Sequence, residues 1–168
     1  MKKTIFASVL CLALLFTFGV VAKAEMAKEG TFSGKIVVSC TLDKTIAMGE
    51  ERFQLSYECM GVHLNDSGEG FLHKASIRML GAMHAVKGIY EYERSFSFFK
   101  DPDGDQVFFT HDAKGSIQSA QATVKWVGGT GKYQGVTGGG EWTWVAVAPA
   151  AEGTAQGCME LKGHWKLP

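Results

Sequence analysis

The sequence predicts an all-β chain folded as a single eight-stranded antiparallel β-barrel. Three observations predict it: apolar side chains recur with a period of two, turn residues punctuate the chain, and its 168 residues include 21 glycines but only 3 prolines. A period of two marks a half-buried strand, because successive side chains point to opposite faces. Short strands between turns at roughly 8–12 residue spacing suggest a sandwich or a barrel. About eight strands fit between the turns, and closing the sheet removes edges that invite aggregation. Glycines suit the tight corners of such a barrel. A β-sandwich is the alternative.

Residues 1–24 are set apart from this pattern. Lys2 and Lys3 precede an apolar stretch from Ile5 to Val21, which ends in Ala22-Lys23-Ala24. A basic start, an apolar middle and an A-x-A end are the parts of a secretory signal peptide. The apolar run falls short of the roughly 20 residues of a membrane span. The expectation is therefore export, periplasmic or secreted, with no stable membrane span after cleavage and a working domain over 25–168. Without Lys2, Lys3 and Lys23 that domain carries 14 basic and 17 acidic side chains, a mild negative charge. Such a balance gives no argument for nucleic acid as a partner.

The strands follow in chain order. Phe32, Ile36, Val38 and Cys40 share one parity, as do Phe53, Leu55, Tyr57 and Cys59, with Gly49-Glu50 as the turn between. Asn65 to Gly70 is the next turn. Ala75 to Val86 contains good helix formers, but Gly81 interrupts it and Ile77, Met79 and Met83 alternate, so it reads as strand. Tyr90, Tyr92, Phe96 and Phe98 form the next set, interrupted by Arg94. Val107 to Thr110 is a strand after the Asp101–Asp105 turn, and Lys114-Gly115 closes it. Gly128 to Gly131 is a further turn, after which Trp142, Trp144, Ala146 and Ala148 alternate. Pro149 to Gly153 leads to the last strand, where Met159, Leu161, Trp165 and Leu167 alternate with Glu160, Lys162, His164 and Lys166.

An exported chain meets an oxidising compartment, where a disulfide persists. One disulfide among Cys40, Cys59 and Cys158 would leave one thiol over, their spacing does not say which two would pair, and three buried reduced thiols are the alternative.

Motifs for chemistry are sparse. Asp101, Asp103 and Asp105 with Asp112 imitate a calcium loop, but that loop requires glycine at its sixth position, where Gln106 stands. Asp101, Asp103, Gly104 and Asp105 read instead as a hairpin turn. Gly128, Gly129, Gly131, Lys132, Tyr133, Gly135 and Gly138 invite comparison with phosphate loops, yet Tyr133 occupies the Ser/Thr position and no helix follows. These too read as turn framework. The five histidines, His63, His73, His84, His111 and His164, show no metal-ligand spacing. No metal or cofactor is implied. No G-x-S-x-G elbow is present, and the excess of inward-parity aromatics with no convergent acid–base set leans towards a non-enzymatic barrel without deciding it.

The pairing of Asp-Pro-Asp-Gly-Asp-Gln at 101–106 with GGTGKYQGVTGGG at 128–140, and the ending from Ala150 to Pro168, resemble a family of exported bacterial proteins without assigned function. The glycine–lysine–aromatic run further resembles the barrels of allene oxide cyclases and dirigent proteins. That resemblance implies an eight-stranded antiparallel barrel. Allene oxide cyclases isomerise an unstable fatty-acid epoxide in an apolar cavity, and dirigent proteins orient phenolic radicals. No catalytic residue of either maps onto this sequence, so any activity would be carried by fold analogy alone.

Three functional expectations result. The first is a barrel that binds a small apolar molecule, with Phe96, Phe98, Trp142 and Trp144 lining the site. The second is an isomerase or cyclase with a polar group among Glu58, Arg94 and Glu141 buried at the cavity wall. The third is a surface interaction module marked by an exposed apolar patch. Association into a homo-oligomer is compatible with each.

Overall fold

The computed structural model describes residues 26–168, so the signal-peptide reading of 1–24 lies outside the described residues. Eight strands run up and down in sequence order: β1 (Glu29–Ala47), β2 (Arg52–Asn65), β3 (Ser76–Val86), β4 (Ile89–Lys100), β5 (Gln106–Gly115), β6 (Ser119–Gly129), β7 (Thr137–Val147) and β8 (Thr154–Lys166). Each pairs antiparallel with its neighbours, and β8 returns to β1 from Glu29↔Lys166 to Thr41↔Thr154. The sheet is a closed eight-stranded barrel. Its single helical turn among the described residues is a 3₁₀ turn at Gly131–Tyr133.

Alternation sets which side chains fill the lumen. Ile36, Val38 and Cys40 of β1 point inward, as do Leu55, Tyr57 and Cys59 of β2, and all are buried. Met159, Leu161 and Trp165 of β8 do the same. The register places Cys40 directly opposite Cys59, and the two form a disulfide. Among the described residues Cys158 is the free thiol, and it takes the outward parity of β8.

The two ends of the barrel differ. At one end lie both chain termini of the domain and the longer connections. The β2–β3 connection folds back as a plug that buries Phe71, Leu72 and Ala75. Phe71 stacks on Trp165 with ring centroids 4.6 Å apart and meets Tyr133 edge-on at 5.5 Å. Phe32, Phe99, Phe109 and Trp126 complete this aromatic end. Asn65 holds the plug by donating from Nδ2 to the carbonyls of Glu69 and Phe71, at 2.8 and 2.9 Å. His63, fully buried, is 2.9 Å through Nδ1 from the Leu72 carbonyl. Burial lowers the pKa of this imidazole, so the neutral ring donates there.

The paired sequence motifs meet at the same end as a latch. The β4–β5 turn closes through Gly104 N–H to the Asp101 carbonyl and Asp103 N–H to Asp101 Oδ1, at 2.8 and 3.0 Å. From the β6–β7 connection, Tyr133 donates to Asp101 Oδ2 at 2.5 Å. Lys132 reaches Asp101 and Asp103, both at 2.9 Å, and its backbone N–H donates to Asp105 at 3.1 Å. Gly128 and Gly129 end β6, Gly131 opens the 3₁₀ turn, Gly135 lies in the connection and Gly138 is the second residue of β7. Burial disfavours the charge on Asp101, but hydrogen bonds from Tyr133, the Asp103 amide and Lys132 outweigh it. They hold the carboxyl below its ordinary value.

The opposite end carries the short turns and is open.

Candidate functional site: a half-open lumen with a polar floor

A cavity of about 340 Å³ occupies the open half of the barrel. That is more than twice the roughly 150 Å³ that suffices to hold a benzene, and it falls in the range of small-molecule sites. Its wall is mostly apolar: Leu42, Phe53, Leu55, Met83, Trp144 and Ala155 line it, with Gln118, Thr154 and Gln156 also contributing. The Cys40–Cys59 disulfide forms part of the wall.

Two glycines make room for large rings beside this cavity. Gly81 of β3 lies under the ring of Tyr57, where an added methyl group would overlap the phenol. Gly157 of β8 lies under the indole of Trp144 in the same way. Trp144 is fixed further by its Nε1–H, which donates to the Ile117 carbonyl at 3.0 Å.

The floor is polar. Tyr57 on β2, Glu93 on β4 and His111 on β5 are all buried and converge from three strands. The Tyr57 hydroxyl donates to Glu93 Oε1. His111 Nε2 lies 2.9 Å from Oε1 and 2.8 Å from Oε2 of the same carboxylate. His111 Nδ1 is 2.8 Å from the Ser95 hydroxyl, which is 2.7 Å from that of Ser97. Trp142 packs edge-on against the imidazole, with centroids 4.5 Å apart.

Hydrogen-bond accounting gives this chain a direction. Ser97 Oγ finds no partner other than Ser95 among the described residues. If Ser97 were the end of the chain, its buried O–H would have no acceptor. Every hydrogen is used when Ser97 donates to Ser95, Ser95 donates to His111 Nδ1, and Nε2–H donates to Glu93. Ser95 and Ser97 do not line the cavity, so they orient the imidazole and offer no nucleophile to a ligand.

Burial raises the pKa of the Tyr57 phenol, and the neighbouring Glu93 charge raises it further. Tyr90, also on the wall, is shifted upward by the same two causes in the same order. Both phenols therefore stay protonated across the physiological range. The Tyr90 hydroxyl makes no hydrogen bond to another group among the described residues.

The residues singled out from sequence divide between the two faces. Trp142 and Trp144 line the lumen. Phe96, 60% exposed, and Phe98 face outward, as does Arg94, which pairs with Asp112 outside the barrel. Glu58 pairs with Arg78 at 2.5 Å on the outer face, and Glu141 is exposed on β7. A bulge causes the reversal on β4. Tyr92 pairs with His84 and Tyr90 with Ala85, leaving Glu91 unmatched. One extra residue shifts the parity, so Tyr90 points in while Tyr92, Phe96 and Phe98 point out. Glu93, Ser95 and Ser97 take the inward places that the aromatic pattern had suggested for Phe96 and Phe98. Tyr57 carried the inward parity from the start; Glu93 and His111 had no motif to mark them.

Among the described residues no group of three or more His, Cys, Asp or Glu side chains is arranged to hold a metal ion, and no helix is long and apolar enough to cross a membrane. No protein-family model matches the chain, and no curated protein matches it in sequence.

Proposed function

We propose that this protein is an exported binding barrel that takes one small, largely apolar molecule into the open half of its lumen. The observation that carries the reading is the asymmetry of the barrel interior. One half is packed with aromatic rings and plugged by Phe71 and Leu72, while the other keeps a cavity of about 340 Å³ with an apolar wall. A packed structural barrel would have no reason to leave that space, because native interiors are close to crystal density. The Cys40–Cys59 disulfide supports an oxidising, exported setting. Native mass spectrometry with the apolar fluorophore N-phenyl-1-naphthylamine tests the reading. The expected result is saturable one-to-one binding, and a protein that takes up no probe contradicts it.

A second reading is an isomerase or cyclase similar to the allene oxide cyclases, and one observation favours it. Tyr57, Glu93 and His111 present a donor and a carboxylate to an otherwise apolar cavity, as acid–base chemistry on an apolar substrate would need. Glu58, Arg94 and Glu141 have no part in it, since they face outward. A third reading, a surface interaction module or self-associating barrel, draws on an outward row in which Val145, Cys158, Val37 and Val62 are successive cross-strand partners.

A further inference from the structure

We infer that the ligand is an amine: a small apolar molecule that places a protonated ammonium group against Glu93 at the cavity floor. This deepens the binding-barrel reading and rests on it. Among the described residues, Glu93 and His111 are the only Asp, Glu, His, Lys or Arg side chains lining the cavity. The hydroxyl chain from Ser97 through Ser95 uses His111 Nδ1 as an acceptor, and among the described residues no Lys or Arg lines the cavity to offset the Glu93 carboxylate. A buried carboxylate without a counter-charge is costly. Tyr57 and His111 supply hydrogen bonds.

Glu93 also has capacity to spare. Oε1 accepts from Tyr57 and shares the His111 N–H, whereas Oε2 receives only the other share of that N–H. A carboxylate oxygen has room for two donors, so Oε2 remains available. The Tyr90 hydroxyl oxygen, also on the cavity wall, is a second free acceptor. Trp142, Trp144, Phe53, Tyr57 and Tyr90 also line the cavity, and aromatic rings are partners that attract ammonium groups. A ligand carboxylate would meet Glu93 as a like charge. A neutral hydroxyl could donate to Oε2 but would leave the charge uncompensated.

Three probes of one shape separate these cases: 1-naphthylmethylamine, 1-naphthylmethanol and 1-naphthoate, titrated at neutral pH. The amine is expected to bind about tenfold more tightly than the alcohol, the difference between a charge-assisted and a neutral hydrogen bond. The carboxylate is expected to be rejected. Glu93→Gln keeps the side-chain shape but removes the charge, and should bring the amine and alcohol affinities together. Equal binding of amine and alcohol by the unsubstituted protein overturns the amine assignment and leaves the apolar-cavity reading standing. The comparison needs no variant, so a failure of Glu93→Gln to fold does not remove the test. If none of the three probes binds, both readings fall together.

Discussion

His111 spans both oxygens of Glu93, its Nε2 lying 2.8 Å from one and 2.9 Å from the other, at the floor of a cavity whose wall is apolar. The pair divides the barrel into a packed half and a hollow half. Polar groups buried in this way are retained only when each finds its partners.

Removing one member of the set therefore leaves the others unsatisfied. His111→Ala is expected to lower unfolding stability by about 1–3 kcal/mol, the cost of stranding a buried polar group, beyond which the lost packing on Trp142 adds. Tyr57→Phe removes a single donor and should cost less than His111→Ala. Urea unfolding of the two variants checks the order; equal stability of all three proteins would show that the network carries no weight.

Gly81 is a prediction of shape. Gly81→Ala forces the Tyr57 ring away from its seat, and overpacking of this kind costs about 1–3 kcal/mol. Displacing the ring should also enlarge or distort the floor, so a change in probe affinity should accompany the loss of stability. A variant that melts and binds as the parent does would mean that Tyr57 has another place to go.

The disulfide gives a chemical test. Oxidised protein should titrate with one free thiol from the described residues, Cys158, and reduction should release Cys40 and Cys59. Their separation of 19 residues corresponds to about 3 kcal/mol of stabilisation in the chain-entropy treatment. Peptide mapping that links Cys158 to either partner would contradict the register of β1 on β2.

Acid should weaken the plugged end first. The pKa of His63 is lowered by burial from an ordinary 6.5, so the unfolded chain binds its proton more readily than the native one. Its contribution is complete above that value and is lost as pH falls from 6.5 towards the lowered native pKa. Asp101 is also lowered in the folded state, so its latch contributes above about pH 3.8 and fails further down. Thermal melts from pH 8 to pH 4 should show a first decline below about pH 6.5, and His63→Phe should remove it. A flat profile over pH 5–7 would contradict the assignment.

Much of this architecture was legible in the residues and some of it was not. Strand number and closure followed from alternation and turn spacing, because a period of two and a glycine-bounded turn are local properties. The inward parity of Tyr57 and Trp142 was legible for the same reason. The reversal on β4 was not, since an unmatched Glu91 is defined only by the partner strand that skips it. Phe96 and Phe98 looked like cavity residues until the bulge placed them outside. Glu93, Ser95 and His111 lie on two strands, and nothing in their spacing announces that they meet. The DPDGDQ and GGTGKYQG segments were readable as turns; that Tyr133 and Lys132 of one close on Asp101 of the other depends on where the barrel brings their ends together.

The most direct test of the account is whether the hollow half of the lumen is the binding site. Ala155 lies on the cavity wall, and Ala155→Phe would fill the space with a ring while leaving the plugged half untouched. The measurement is titration with N-phenyl-1-naphthylamine, read as energy transfer from the lumen tryptophans, in the parent and in this variant. The account predicts one saturable site in the parent and its loss in a variant that remains folded. Undiminished binding after Ala155→Phe, or no saturable binding in the parent, would contradict it.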